Sequence, residues 1–179
     1  IKKSSVQIQG YRIVPGTFYI NDVAVRFSDQ IGKSEVLVAA GTSSYRDASR
    51  TIFGSDGDYG FFKGTENESG EWTWQRIPIY ADNSNILVQP IDIEISPADE
   101  RVWISTTRWR GQGGGAVYVA NEDVTSFEKK FQVTEDTNDD GLVDANDLGG
   151  GRRTEIDISS NNTVWVLSQI ENANGGLST

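Results

Sequence analysis

Apolar and polar residues alternate along three short stretches of this chain: Val23-Ala24-Val25-Arg26-Phe27-Ser28, Ile91-Asp92-Ile93-Glu94-Ile95-Ser96 and Thr154-Glu155-Ile156-Asp157-Ile158-Ser159. A period of two is that of a β-strand with one face in a core and the other toward water or a neighbouring sheet. Each stretch closes on Ser and a turn, and Pro97-Ala98-Asp99-Glu100 and Ser160-Asn161-Asn162 supply residues that preset φ or fold their side chains back on the backbone. A second strand follows in every copy: Val36-Leu37-Val38-Ala39, Val102-Trp103-Ile104-Ser105 and Val164-Trp165-Val166-Leu167. In the first two copies a loop leads to a third run, Gly60-Phe61-Phe62-Lys63 or Ala116-Val117-Tyr118-Val119, and then to a fourth over 72–77 or 127–133.

Four short antiparallel strands, repeated along the chain, are the unit of a β-propeller blade. The expected fold class is all-β: a fragment of four-stranded antiparallel blades with one inserted loop. The expected division is a tail of a preceding blade or a connector over 1–20, blades over 21–80 and 81–134, an insertion over 135–151, and the first half of a further blade over 152–179. The third copy stops at Thr179, before its third and fourth strands are written. Its open sheet edges would make the isolated chain prone to misfold or aggregate.

Composition agrees with strands and turns: 19 Gly, 7 Phe, 6 Tyr and 5 Trp among 179 residues, with no stretch patterned as a long helix. The formal net charge of −10 leaves no basic stripe for nucleic acid or an anionic membrane, and no apolar run approaches the roughly 18 residues of a membrane-spanning helix. Cys and His are both absent, which removes disulfides, thiolate and imidazole catalysis, and most zinc sites. Met is absent too, so Ile1 reads as the start of a processed or excised piece. What survives is carboxylate chemistry, with cations as the natural partners.

The sharpest candidate for such chemistry is Asp136-Thr137-Asn138-Asp139-Asp140-Gly141-Leu142-Val143-Asp144-Ala145-Asn146-Asp147. A twelve-residue calcium loop needs oxygen donors at its first, third and fifth positions, Gly at the sixth for a sharp reversal, a carbonyl at the seventh and a carboxylate at the twelfth. Asp136, Asn138, Asp140, Gly141, Leu142 and Asp147 fill those places in order, and Asp144 would join directly or through water. Crowding carboxylates onto one turn makes sense when a divalent ion offsets their repulsion. The expected cofactor is therefore Ca2+, held by Asp136, Asn138, Asp140, the Leu142 carbonyl, Asp144 and Asp147. The loop resembles the dockerin-type variant of the EF-hand, with Asp in place of Glu at the last position. Leu148-Gly149-Gly150-Gly151 does not continue as a helix, so a full helix-loop-helix is not expected.

A second resemblance lies in the hairpins between third and fourth strands. Thr65-Glu66-Asn67-Glu68-Ser69-Gly70-Glu71-Trp72 and Ala120-Asn121-Glu122-Asp123-Val124-Thr125-Ser126-Phe127 resemble the Asp-box hairpin, Ser-x-Asp-x-Gly-x-Thr-Trp, of sialidase-type and sortilin-type propellers. In that register Asn67 and Glu122 take the Asp position, and Ser69 and Val124 the Gly position. Over about residues 20 to 170 the phrasing is also similar to propeller regions of large surface proteins exported by Bacteroidetes, including type IX secretion substrates. The resemblance implies a non-catalytic binding or scaffold module of a secreted or cell-surface bacterial protein, joined to the remaining blades of its polypeptide and turned toward surface glycan or protein. In that family the Asp box is a structural hairpin.

Arg108-Trp109-Arg110 is the candidate ligand patch, since a Trp between two guanidiniums stacks on a sugar ring and grips a carboxylate; the alternative is that Trp109 covers a blade edge while the arginines pair with nearby acids. Gly32-Lys33-Ser34 is not a phosphate loop, because the earlier glycine position holds Phe27. No catalytic residue is assigned. The competing function is part of a propeller glycoside hydrolase of sialidase or endoglucanase type, which needs only carboxylates, Tyr and Arg.

Overall fold

The computed structural model describes residues 6–8, 11–13, 19–28, 32–41, 60–81, 87–107, 115–132, 151–171 and 177–178. They form antiparallel β-sheets throughout, with no helix among the described residues. A small hairpin of β1 (Val6–Ile8) and β2 (Tyr11–Ile13) stands first. The first large sheet then runs β3 (Tyr19–Ser28), β4 (Lys33–Gly41), β5 (Gly60–Glu66), β6 (Trp72–Ile77), each strand pairing with the next. The second sheet repeats that order with β7 (Gln89–Ile95), β8 (Val102–Thr107), β9 (Ala116–Ala120) and β10 (Phe127–Gln132). The third comprises β11 (Gly151–Ile158), β12 (Val164–Glu171) and a two-residue β13 (Leu177–Ser178), so a short third strand does begin before Thr179.

Successive sheets pack face to face, and the first strand of each carries the contact. β7 lies against β3, β4 and β5, and β11 against β7 and β8. The main core fills the first of these interfaces: Leu37, Ala39, Phe61 and Ile77 from the first sheet meet Ile93, Val102, Ile104, Ala116, Tyr118 and Ala120 from the second. Phe61 and Phe127 meet edge to face across it, ring centroids 4.9 Å apart. The middle sheet is covered on both sides, and β9, Ala-Val-Tyr-Val-Ala, accordingly has no polar residue and is buried along its whole length.

The hairpin turns repeat one device. Gly32 and Glu100 each donate their N–H to the carbonyl of the Ser four residues earlier, Ser28 and Ser96, both at 2.8–2.9 Å, and Asn162 closes on Ser159 at 2.8 Å. All three residues have φ near +60°, which Gly adopts freely, Asn tolerates and Glu resists. A bulge interrupts each first strand, between Ile20 and Asp22, Pro90 and Asp92, and Gly151 and Thr154.

Pairing corrects two sequence registers. Val25 faces Val36 and Ile95 faces Val102, so Val23 is the counterpart of Ile93 and not of Ile91. The first sheet's hairpin is two residues longer on each strand, which hides the shift when copies are aligned on Ser28 and Ser96. In the later hairpins Asn121, not Glu122, matches Asn67. Asn67 Oδ1 accepts the N–H groups of Ser69 and Glu71, both at 2.9 Å, and Asn121 Oδ1 accepts those of Thr125 and Ser126 at 2.8 and 3.0 Å. The second turn is one residue longer, and the slip follows from that. The positive-φ places are Gly70 and Val124, so Ser69 does not hold the glycine role.

Candidate functional site

The residues expected to hold calcium, Asp136, Asn138, Asp140, Leu142, Asp144 and Asp147, and the ligand patch Arg108, Trp109 and Arg110, lie outside the described residues. Their anchors are described. The chain leaves the sheets at Thr107 and Gln132 and returns at Gly115 and Gly151, all at the end opposite the hairpin turns. Among the described residues, no group of three or more acidic side chains is arranged to hold a metal ion.

What the described residues do bring together is a line of carboxylates on the first strands. Asp22 Oδ2 accepts the N–H of Ile93 from the second sheet at 2.8 Å, and Asp92 Oδ2 accepts the N–H of Ile156 from the third at 2.8 Å. The two contacts are one device used twice: an Asp just past a bulge turns its side chain across the interface to a backbone donor of the next sheet. β7 and β11 are edge strands of their sheets, so every second N–H along them points away from the ladder and is open to such an acceptor. Each carboxylate also accepts the N–H of the residue after it, Val23 at 2.8 Å and Ile93 at 3.1 Å. Beside the first latch Asn21 Nδ2 donates to the Pro90 carbonyl at 3.0 Å; beside the second the Ser105 hydroxyl donates to the Thr154 carbonyl.

Burial pushes the Asp92 carboxyl up from 3.8 to about 6, with the nearby Glu155 and Asp22 charges adding to it and the Ile156 and Ile93 N–H groups opposing it. Glu94 is raised as well, first by burial and then by Asp92, Asp157 and Asp22. Asp92 is therefore held in a half-buried site among like charges, where the latch bonds favour the ionised form and desolvation wins.

The hairpin end is tied differently. Glu35, almost fully buried, sits 2.7 Å from Arg26 and 3.6 Å from Lys63. With its charge matched, Arg26 reaches into the second sheet's turns, donating to the Glu100 carbonyl at 3.3 Å and the Glu122 carbonyl at 2.8 Å, and Lys63 donates to the Asp123 carbonyl at 2.6 Å. The two extra residues per strand in the first sheet's hairpin supply this reach. Between the second and third sheets Ser96 Oγ meets Asn162 Oδ1 at 2.8 Å.

Sequence reading passed over Asp22, Asp92, Arg26, Glu35 and Lys63. One signal was available for the latches, because Asp is disfavoured inside strands and both copies place one near the start of an alternating run. The chain matches no family model, no curated protein and no solved structure.

Proposed function

We propose that this chain is a non-catalytic, calcium-stabilised propeller module of a secreted or cell-surface bacterial protein, serving as a scaffold or in adhesion. The observation that carries the reading is the repeated latch. Three consecutive antiparallel meanders, the second and third of which each dock their first strand on the preceding sheet with an Asp bridging at the same place, favour blades arranged about a common line of first strands over a two-layer sandwich. The most perturbed carboxylate among the described residues, Asp92, serves as a hydrogen-bond acceptor for two backbone groups, which is a structural duty.

The Asp136–Asp147 segment offers only hard oxygen donors, the set that Ca2+ prefers. Calcium there would rigidify the connection between the second and third sheets. Resemblance to Asp-box propellers and to type IX secretion substrates supports the surface location, and Arg108-Trp109-Arg110 suits a glycan with an acidic group. The glycoside hydrolase reading is favoured by one feature, the adjacent raised carboxyls of Asp92 and Glu94. Two assays decide. Calorimetry is expected to show calcium binding that Asp136→Ala and Asp140→Ala each weaken strongly, and no hydrolysis of sialosides or β-glucans is expected. Turnover lost in Asp92→Asn would overturn the scaffold reading in favour of the hydrolase, and absence of calcium binding at millimolar calcium would remove the metal.

A further inference from the structure

The two junctions between successive sheets share the Asp latch and differ in what supports it. Across the first, the main core packs Leu37, Phe61 and Ile77 against Ile93, Val102 and Ile104, and Arg26 and Lys63 reach from the first sheet onto turn carbonyls of the second. At the second, Ile156 and Ile158 are buried but stand outside that core cluster. The bonds described across it run from the Ile156 N–H to Asp92, from the Ser105 hydroxyl to the Thr154 carbonyl, and between Ser96 Oγ and Asn162 Oδ1, all with neutral donors.

Carboxylates gather at this second junction. Asp22, Asp92 and Glu155 hold the same place in the three first strands, opposite Ala39, Ser105 and Leu167, and Glu94 and Asp157 follow two residues on. The charges acting on Asp92 are Asp22 from β3 and Glu155 from β11; Glu94, further along β7, adds Asp157 to its own neighbours. Arg153 of β11 is bonded to Glu155. β8 carries no charged side chain, and the charged residues of β4 and β5 are Lys33, Glu35, Lys63 and Glu66, of which Glu35 and Lys63 form the clamp with Arg26.

We propose that the junction between the second and third sheets is a proton-operated joint, shut when Asp92 is protonated and loosened when it ionises, while the clamped first junction stays closed. A protonated carboxyl still offers its carbonyl oxygen to the Ile156 N–H and no longer repels its acidic neighbours. In the closed joint Asp92 ionises only at about 6, up from 3.8, with burial the largest cause. Opening returns the carboxyl to water and to its ordinary value, so closing takes up a proton and acid favours the closed form. Glu94, raised first by burial and then by Asp92, Asp157 and Asp22, acts in the same direction. Nothing in this joint requires calcium or a propeller.

Native-state hydrogen exchange of the full 179-residue chain, followed by NMR at pH 5 and pH 7.5 and corrected for intrinsic rates, tests it. The Ile156 N–H reports the joint, and the Leu37 N–H, of a residue wholly buried at the first junction, reports the rest. The interval from 3.8 to about 6 gives about a tenfold swing in the open-to-closed ratio between those two conditions, and water on the open side of Asp92 brings it to about fivefold. Ile156 protection should therefore fall about fivefold from pH 5 to pH 7.5. Its urea dependence should be shallower than that of Leu37, because the joint exposes less surface than unfolding does. Asp92→Asn should remove most of the fall, and Glu155→Gln, which leaves the latch itself in place, should reduce it by about a factor of two. Protection that stays flat or rises with pH would overturn the proposal, a rise being what a stronger bond to an ionised acceptor alone would give. So would a fall that persists undiminished in Asp92→Asn, or Ile156 exchange that follows Leu37 at every urea concentration, since the opening would then be global unfolding. The series is run with calcium saturating and again with calcium chelated; a fall confined to one condition would assign the effect to the 136–147 loop and likewise overturn the joint.

Discussion

Replacing Asp92 with Asn should stabilise this protein at neutral pH, although it alters one of two copies of a repeated hydrogen-bond device. The Asp92 carboxyl is raised in the folded state from 3.8 to about 6. A group raised on folding contributes stability that is fully present below its unfolded value and lost as pH rises through the folded one, so ionised Asp92 works against the fold above about pH 6. The interval from 3.8 to about 6, at about 1.4 kcal/mol per pH unit, bounds the penalty at about 3 kcal/mol. Asp92 is only half-buried, and water on its open side screens the repulsion from Asp22 and Glu155, leaving about 1 kcal/mol. Asn keeps an oxygen for the Ile156 N–H, and the Ile93 N–H retains its 2.8 Å bond to Asp22. Urea unfolding at pH 5 and pH 7.5 is the assay. Asp92→Asn should be more stable than wild type by about 1 kcal/mol at pH 7.5 and by less at pH 5, the advantage vanishing only below about pH 3.8, where the carboxyl is protonated in the folded and unfolded states alike. Asp92→Ala strands the buried N–H and should lose about 1–2 kcal/mol. Equal losses in Asn and Ala at pH 7.5 would refute the reasoning, because the charge would then be helping the latch.

Other substitutions test the remaining contacts. Glu35→Ala leaves Arg26 and Lys63 nearly buried without their counter-charge and should cost about 3 kcal/mol in chemical denaturation, whereas Arg26→Met with Glu35→Leu should recover much of that. Glu100→Gly relieves a φ of 56° without touching the carbonyl that Arg26 uses, and should raise stability by about 0.5–1 kcal/mol in thermal melts. Phe61→Ala empties the centre of the first interface and should cost about 3–5 kcal/mol.

Strand type and order were legible because Val, Ile, Phe and Trp recur at period two between Asn, Ser and Gly turns, a pattern no helix fits. Register was less legible. Ser28 and Ser96 look equivalent and do begin equivalent turns, but Arg26, Phe27, Ser34 and Glu35 extend the first hairpin beyond its copy, and no local pattern says by how much. Asn121 was missed for Glu122 for the same reason, a one-residue difference in turn length. The latch was hidden more deeply, because Asp22 and Asp92 act on donors about 70 and 64 residues away, and only the packing of one sheet on the next brings them together. The clamp of Arg26, Glu35 and Lys63 reads in sequence as surface charge, and becomes a buried group only through that same packing.

A crystal structure grown in millimolar calcium tests both whether the repeated sheets dock about a line of first strands and whether calcium secures the link between the second and third. Three sheets related by a constant rotation about the first strands β3, β7 and β11 are expected, with an ion within about 2.3–2.6 Å of oxygens from Asp136, Asn138, Asp140, Leu142 and Asp147. Sheets stacked without that rotation, or an ordered 136–147 segment carrying no ion, would contradict it.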